Sequence, residues 1–223
     1  MPEKRTPFRG ALFDMDGLLL DSERACVIAF NETVKRFALP PMPEVALACI
    51  GLRADGVQAQ IKAALAGRAE FEPFYQAWGQ RIEASFAQGI PLKLGVLDLL
   101  ETLKAQGKPC AVATSTHTPS AEAHLQKAGL RGYFKAVIGG EQVLRGKPAP
   151  DIYVLAAKAL GLRPADCIAF EDSDPGTLAA IASGATVVQV PDVKPPSPDL
   201  LANGHLIADD LFSGAITIGL IAI

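Results

Sequence analysis

Short apolar runs that stop abruptly at polar or small residues recur along the chain and limit the folds open to it. Five such runs lie at 10–14, 109–115, 135–139, 167–172 and 185–192. Their continuous apolar character predicts strands that are buried on both faces of a sheet. Helical stretches at 95–107, 119–129, 151–161 and 176–184 lie between them, each ending in a glycine typical of a helix C-cap. The alternation predicts an α/β fold with a parallel sheet.

Residues 22–88 interrupt this alternation, because they are helical in period and contain no strand run. The helical stretches are 22–38, 55–67 and 71–87, and the segment GIPLKLG at 89–95 is typical of a hinge that returns to the sheet. We therefore expect a Rossmann-like core of residues 1–20 and 90–223. An inserted α-helical domain is expected at residues 21–89.

Composition excludes several classes of function. The 223 residues are 49% hydrophobic and carry a formal charge of -3, so no basic surface for nucleic acid is expected. The four cysteines are scattered without CxxC spacing, which predicts reduced packing thiols and a cytoplasmic protein. Asp14 and Asp16 interrupt the first apolar run before it forms a signal-peptide core, and no run is long enough for a membrane span. Composition predicts nothing about protein partners.

Polar side chains stand where three of the predicted strands end. They are Asp14 and Asp16, Thr114 and Ser115, and Glu171 and Asp172. The carboxyl ends of parallel strands meet at one edge of a sheet, so these groups are expected to lie together. Carboxylates crowded there repel one another unless a cation compensates them. Mg²⁺ suits Asp14, Asp172 and a backbone carbonyl near Asp16, because it prefers oxygen ligands.

A magnesium site of this kind usually completes its shell with a phosphate oxygen, which predicts a small phosphorylated metabolite as partner. Lys147, in the stretch GKPAPD, offers a point charge for the phosphate. Thr114 and the backbone N–H groups that follow it are suited to hold the remaining oxygens.

Four stretches, in this order, carry a family resemblance: FDMDGLLLDSE, the hydroxyl in CAVATS, GKPAPD and FEDSDPG. They resemble the four signature motifs of the haloacid dehalogenase superfamily, and the match covers essentially the whole chain. The helical insert resembles the first type of cap in that family, as in its sugar phosphatases and β-phosphoglucomutases.

The resemblance implies a role for each matching residue. Asp14 is expected to be the nucleophile that forms an aspartyl-phosphate, and Asp16 the general acid and base. Thr114, Lys147 and the backbone at Ser115 are expected to hold the phosphoryl group. Mg²⁺ is expected on Asp14, the main-chain carbonyl of Asp16, and Asp172, with Glu171 close by.

The resemblance also bears on the reaction. A carboxylate at Asp16 implies a phosphomonoester, because the superfamily members that cleave other bonds lack it. The positions of a β-phosphoglucomutase cap histidine and cap arginine hold Cys26 and Ala54 here, which favours water as the acceptor. We expect a Mg²⁺-dependent phosphatase of a sugar phosphate or nucleoside monophosphate, similar to the branch that includes pseudouridine-5'-phosphatases. A β-phosphoglucomutase-like phosphotransferase and a non-catalytic protein that binds a phosphorylated ligand are the alternatives.

Four further residues have weaker predictions. Arg53 lies two positions after a glycine in the insert and is a candidate substrate contact. His117 is expected at a loop or rim, while Tyr75 and Trp78 lie at helical spacing and are expected to pack in the core of the insert.

Overall fold

The computed structural model describes residues 8–87 and 89–221. Residues 1–7, 88, 222 and 223, which the predicted domains include, lie outside this range. Six parallel strands form one sheet in the order β3-β2-β1-β4-β5-β6. They are β1 Gly10–Phe13, β2 Cys110–Ala113, β3 Phe134–Ile138, β4 Cys167–Glu171, β5 Thr186–Gln189 and β6 Leu206–Ile207. The α/β prediction is therefore confirmed, and β6 is an additional edge strand.

Helices connect the strands and cover both faces of the sheet. The helices are α1 Ser22–Arg36, α2 Pro43–Ala48, α3 Ala54–Leu65, α4 Phe71–Phe86, α5 Val96–Ala105, α6 Thr118–Lys127, α7 Asp151–Leu160, α8 Asp174–Ser183, α9 Pro198–Leu201 and α10 Leu211–Thr217. The short helices α2, α9 and α10 were not predicted. No helix in the described part of the chain is both long enough and apolar enough to cross a membrane.

The sheet separates two apolar cores because successive side chains of a strand point to opposite faces. Phe13 lies in the first core and its neighbour Leu12 in the second. Phe13 stacks on Phe170 of the adjacent strand, with ring centroids 5.0 Å apart. Burial on both faces explains why β1 and β2 are continuously apolar in sequence and why the first polar residue of each follows the strand end.

The four helices α1 to α4 are inserted between β1 and α5 and enclose an apolar cluster of their own. Phe30, Phe74 and Trp78 are in contact at its centre, with ring centroids 5.6 Å apart in both the Phe30–Phe74 and the Phe30–Trp78 pair. Tyr75 packs against the same cluster, so the packing predicted for Tyr75 and Trp78 is found.

Two paired segments connect the helical insert to the sheet. Leu20 on the outgoing segment bridges Leu92 on the returning one in antiparallel fashion. The N–H of Asp21 donates to the carbonyl of Pro91 at 2.8 Å. The insert is therefore held at a two-stranded connection directly after the first strand.

Candidate active site

Three acidic side chains converge where the neighbouring strands β1 and β4 end. Asp14 follows β1, while Glu171 closes β4 and Asp172 follows it. One carboxylate oxygen from each lies within 4.8 Å of the other two, and all three residues are buried. The adjacency of the two strands in the sheet brings these groups together, although they are far apart in sequence.

Lys147 supplies a positive charge inside this cluster. Its ammonium nitrogen lies 2.5 Å from Oδ1 of Asp14 and also donates to Oε1 of Glu171. The side chain is 1% exposed and passes over the ring of Tyr153, at 5.3 Å from the centroid. One buried cation is thus shared between two carboxylates and leaves the cluster with excess negative charge.

Glu171 is held by protein donors on both of its oxygens. Besides Lys147, the hydroxyl of Tyr153 donates to Oε1 at 2.8 Å. Oε2 accepts from the backbone N–H groups of Asp172 and Ser173 and from the hydroxyl of Ser173. The carboxylate lies so close to the first turn of α8 that a Cβ at Gly176 would overlap it. These contacts fix Glu171 as a support for Lys147.

Crowding of the acids changes their proton affinity. Burial, opposed by Lys147 but reinforced by Glu171 and Asp16, raises the pKa of Asp14 to about 8. Burial and the neighbouring carboxylates also raise the pKa of Asp172 well above its usual value. For Lys147, burial favours the neutral amine, but Asp14 and Glu171 outweigh it and the pKa is raised. The cluster therefore has a deficit of positive charge.

The donor set fits a hard divalent cation. Among the described residues, no group donates a hydrogen bond to the carboxylate of Asp172, although the residue is only 4% exposed. Gly17 has φ +84 and brings the main chain against this carboxylate, where a Cβ would overlap Oδ2. An unpaired buried carboxylate beside Asp14 has the oxygen chemistry that Mg²⁺ prefers. The buried acidic cluster is consistent with a divalent metal.

Asp16 lies at the wall of the cluster and is held by hydroxyl groups. The hydroxyl of Thr116 donates to Oδ2 at 2.7 Å, and the hydroxyl of Ser22 donates to Oδ1 at 2.8 Å. Thr114 makes a longer contact with Oδ2, at 3.4 Å. The carboxylate is thus oriented by one residue of the insert and two residues of the loop after β2.

The remaining predicted residues are divided between the site and the interface with the insert. The Thr114 hydroxyl accepts from the N–H of Thr116 at 3.1 Å. The Ser115 hydroxyl donates to the carbonyl of Gly51 in the insert. Arg53 contacts Asp55 and the carbonyls of Gly140 and Val143, at the loop that leads to Lys147.

A cavity of about 270 Å³ opens over the carboxylates between the core and the insert. We call it the inner cavity. Asp14, Asp16, Thr114 and Ser115 form its floor. The insert, α6 and the loop before α6 contribute walls that the sequence did not predict as site residues, namely Ser22, Glu23, Cys26, Val27, Ala46, Cys49, Leu52, Val57, Trp78, Ile82, Phe86, Thr116 and His124.

Three polar groups in these walls are notable. Burial and the nearby Asp16 and Asp14 raise the pKa of Glu23 to about 8. His124 stands edge-on to Phe86, and no described residue is hydrogen-bonded to its buried Nδ1. Thr116 holds Asp16. Glu23 lies within the stretch FDMDGLLLDSE and Thr116 directly follows CAVATS, so the sequence carried a signal for both residues. His124 lies outside every quoted stretch and had no such signal.

An outer cavity of about 340 Å³ continues from the inner one past Trp78. His117, which begins α6 as its N-cap residue, lines the outer cavity and is exposed, in line with its predicted rim position. Cys26 and Cys49 are only partly buried and line the inner cavity, so the prediction of four packing cysteines holds fully for Cys110 and Cys167 alone.

Comparison with known proteins agrees with this geometry. The family model of the haloacid dehalogenase-like hydrolases matches residues 11–190. The chain belongs to this family. The predicted family resemblance is thereby confirmed, and the chain is a hydrolase of a family whose matched relatives include named phosphatases.

Two relatives and one solved structure illustrate the match. Hexitol phosphatase A of Escherichia coli is 37% identical, over 82% of this chain and 82% of its own. Fructose-1-phosphate phosphatase of Escherichia coli is 33% identical, over 82% and 96%. The crystal structure of a putative β-phosphoglucomutase from Thermotoga maritima has a TM-score of 0.76 at 26% identity and covers 96% of this chain and 100% of its own.

Proposed function

We propose that this hydrolase is a Mg²⁺-dependent phosphatase that cleaves a small phosphomonoester, of the sugar phosphate or nucleoside monophosphate type, through an aspartyl-phosphate on Asp14. The observation that carries the proposal is the placement of Asp14 at the floor of the inner cavity with Lys147 on one carboxylate oxygen. The naming of two relatives as sugar or hexitol phosphatases supports the substrate class.

In the proposed reaction, residues of this chain supply the nucleophile, the general acid and the general base. The carboxylate of Asp14 attacks phosphorus, the bond from phosphorus to the alcohol oxygen breaks, and Asp16 donates a proton to that oxygen. Asp16, now a carboxylate, takes a proton from water as the water oxygen attacks the same phosphorus. Inorganic phosphate leaves and the Asp14 carboxylate is restored. Thr114, the backbone at Ser115, and Lys147 hold the phosphoryl oxygens.

Asp14, Asp172 and the main-chain carbonyl of Asp16 would hold Mg²⁺, with Glu171 supporting Lys147 beside them. When bound, the cation would supply positive charge to the phosphoryl oxygens and would favour the ionised form of Asp14, despite the burial that raises its pKa. We also propose that residues 1–20 and 90–223 form the core domain and that residues 21–89 form a cap that shields the reaction from bulk water. A cytoplasmic location fits the four unpaired cysteines.

The two alternatives have less support. Cys26 lines the inner cavity and Ala54 the outer one, at the positions where a phosphotransferase of the β-phosphoglucomutase type is expected to carry a histidine and an arginine. A non-catalytic binding protein has no need for the complete set of Asp14, Asp16 and Lys147.

The test is the variant Asp14→Asn. With Mg²⁺, phosphate release from p-nitrophenyl phosphate and from a sugar phosphate is expected to fall by at least about 10³-fold. Acid quenching of the wild type with a radiolabelled substrate is expected to trap labelled protein, and Asp14→Asn is expected to trap none. Asp98→Asn, an exposed aspartate on α5, is the matched control. Full activity in Asp14→Asn rules the proposal out, and conserved total phosphate ester during turnover supports the phosphotransferase instead.

A further inference from the structure

The two cavities together define where the alcohol part of the substrate lies. They share Ser115 and Thr116 on the core side and Leu52, Val57, Trp78 and Ile82 on the insert side. A phosphoester whose phosphorus faces Asp14 therefore has its leaving group directed between these walls. The walls, more than the carboxylate floor, decide which alcohols fit.

Lysine and arginine are absent from the described residues of these walls. Of the residues that the structure places around either cavity, none is a lysine or an arginine. Arg53 lies in sequence between two wall residues, but its nitrogens are directed to Asp55 and to the carbonyl oxygens of Gly140 and Val143. Lys62 of the insert lies over the ring of Phe71, at 4.6 Å from its centroid. A second anionic group on the substrate would find no lysine or arginine among the described wall residues to pair with it.

The same walls are unfavourable for an anion on two further grounds. The apolar side chains of Trp78, Ile82 and Phe86 would remove water from a charged group without replacing its hydration. The carboxyl group of Glu23 also lines the cavity, and it offers an anion no compensating positive charge whether or not it is protonated. Hydroxyl groups, in contrast, have polar partners in Glu23 and Thr116.

We infer that the site takes monophosphates of uncharged, hydroxyl-bearing alcohols and discriminates against esters that carry a second anionic group, such as bisphosphates and phosphorylated carboxylic acids. The inference rests on the proposed phosphatase function and defines its substrate class more narrowly. Both polyol phosphates and nucleoside monophosphates have this chemistry.

The experiment compares two substrates that differ by one charge. Sorbitol 6-phosphate and 6-phosphogluconate share a six-carbon open chain, and the second carries a carboxylate where the first carries a hydroxymethyl group. We expect kcat/KM, measured as phosphate released with Mg²⁺, to be at least about 30-fold higher for sorbitol 6-phosphate. Uridine 5'-monophosphate in the same assay distinguishes a nucleoside monophosphate from a polyol phosphate as the preferred substrate. A higher kcat/KM for either compound than for 6-phosphogluconate supports the inference.

A charge placed in the wall tests the cause. Ile82→Arg is expected to narrow the preference between the two substrates by about tenfold, because it supplies the missing cation. Ile28→Arg is the matched control, since Ile28 is 54% exposed on α1 and lies outside both cavities. The wild-type comparison remains decisive if Ile82→Arg fails to fold.

The outcomes separate the two proposals. Equal kcat/KM values for sorbitol 6-phosphate and 6-phosphogluconate in a wild type that hydrolyses p-nitrophenyl phosphate overturn the inference alone. Absence of Mg²⁺-dependent hydrolysis of every ester, including p-nitrophenyl phosphate, overturns the proposed function and the inference with it.

Discussion

The ammonium nitrogen of Lys147 lies 2.5 Å from Oδ1 of Asp14, although 133 positions separate the two residues in the chain. The contact is buried, and the same ammonium group is shared with Glu171. It is the one cation of the described residues that is hydrogen-bonded within the carboxylate cluster. Stability and reactivity therefore depend on the same side chain.

Removal of this cation is expected to weaken the fold as well as the activity. Lys147→Met leaves Asp14 and Glu171 buried without their partner, and the free energy of unfolding is expected to fall by about 3 kcal/mol. Urea denaturation with EDTA present measures the change. Lys158→Met, at an exposed position on α7, is the control and is expected to be neutral. Equal unfolding midpoints for Lys147→Met and wild type would contradict the structural role.

Tyr153→Phe tests the support behind Lys147. The variant keeps the buried ring but loses the hydrogen bond from the Tyr153 hydroxyl to Oε1 of Glu171. We expect a stability loss of about 1 kcal/mol and a severalfold lower kcat with KM nearly unchanged, because Glu171 then orients Lys147 less firmly. Thermal unfolding and steady-state kinetics measure the two effects. A variant that loses affinity for substrate while keeping kcat would place Tyr153 in substrate binding instead.

Asp16→Asn separates the two steps of the proposed reaction. p-Nitrophenolate leaves without needing a proton, so the first step is expected to survive in this variant. The second step needs a base for water and is expected to slow by at least about 100-fold. Stopped-flow absorbance should then show a burst of about one equivalent of p-nitrophenolate followed by slow turnover. Steady-state rates equal to those of the wild type would remove Asp16 from the mechanism.

Glu23 is expected to make stability depend on pH. Its pKa is about 8 in the folded protein against an ordinary value of 4.5, so the folded state binds the proton more tightly than the unfolded state. Stability from this group is present below pH 4.5 and is lost as pH rises towards 8. Unfolding free energies in EDTA between pH 5 and about 8 should fall more steeply for wild type than for Glu23→Gln. Parallel profiles would show that Glu23 is ordinary in its proton affinity.

Asp172 is expected to have opposite effects with and without metal. Asp172→Asn removes one of three crowded carboxylates, so its Tm in EDTA is expected to exceed that of the wild type. Mg²⁺ should raise the Tm of the wild type, because it binds the folded state, and should raise that of Asp172→Asn much less. Differential scanning fluorimetry with EDTA and with MgCl₂ measures both. An equal Mg²⁺ shift in the two proteins would exclude Asp172 as a ligand.

Local sequence patterns were sufficient to predict five of the six described strands and most of the described helices. Strands β1, β2 and β4 are buried along their whole length and are almost entirely apolar, so they are recognisable in the sequence. The edge strand β3 was recognised although Lys135 is exposed, because its last residues are apolar and buried. The predicted glycine ends are found at positive φ, as expected for residues that close helices, at Gly107, Gly129, Gly161 and Gly184. Strand β6 has only two residues and α2 only six, and so short an element carries no measurable periodicity.

Contacts between distant segments decided the rest of the site. The sequence alone identified four candidate site residues, Asp14, Thr114, Lys147 and Asp172, because strand ends and motifs are local signals. It did not predict His124 in the cavity wall, since nothing near His124 in sequence distinguishes it from a surface histidine. The sequence also did not indicate which groups the side chain of Arg53 contacts. In the structure, its guanidinium group donates to the carbonyls of Gly140 and Val143.

The sequence by itself determined which segments become strands and helices and which polar groups stand at the strand ends, because burial and backbone geometry act over a few neighbouring residues. Only the tertiary structure decided that Lys147 is shared by Asp14 and Glu171, and that no lysine or arginine is among the described residues of the cavity walls. Those properties arise from how the helical insert packs over the sheet, which depends on contacts between residues tens of positions apart.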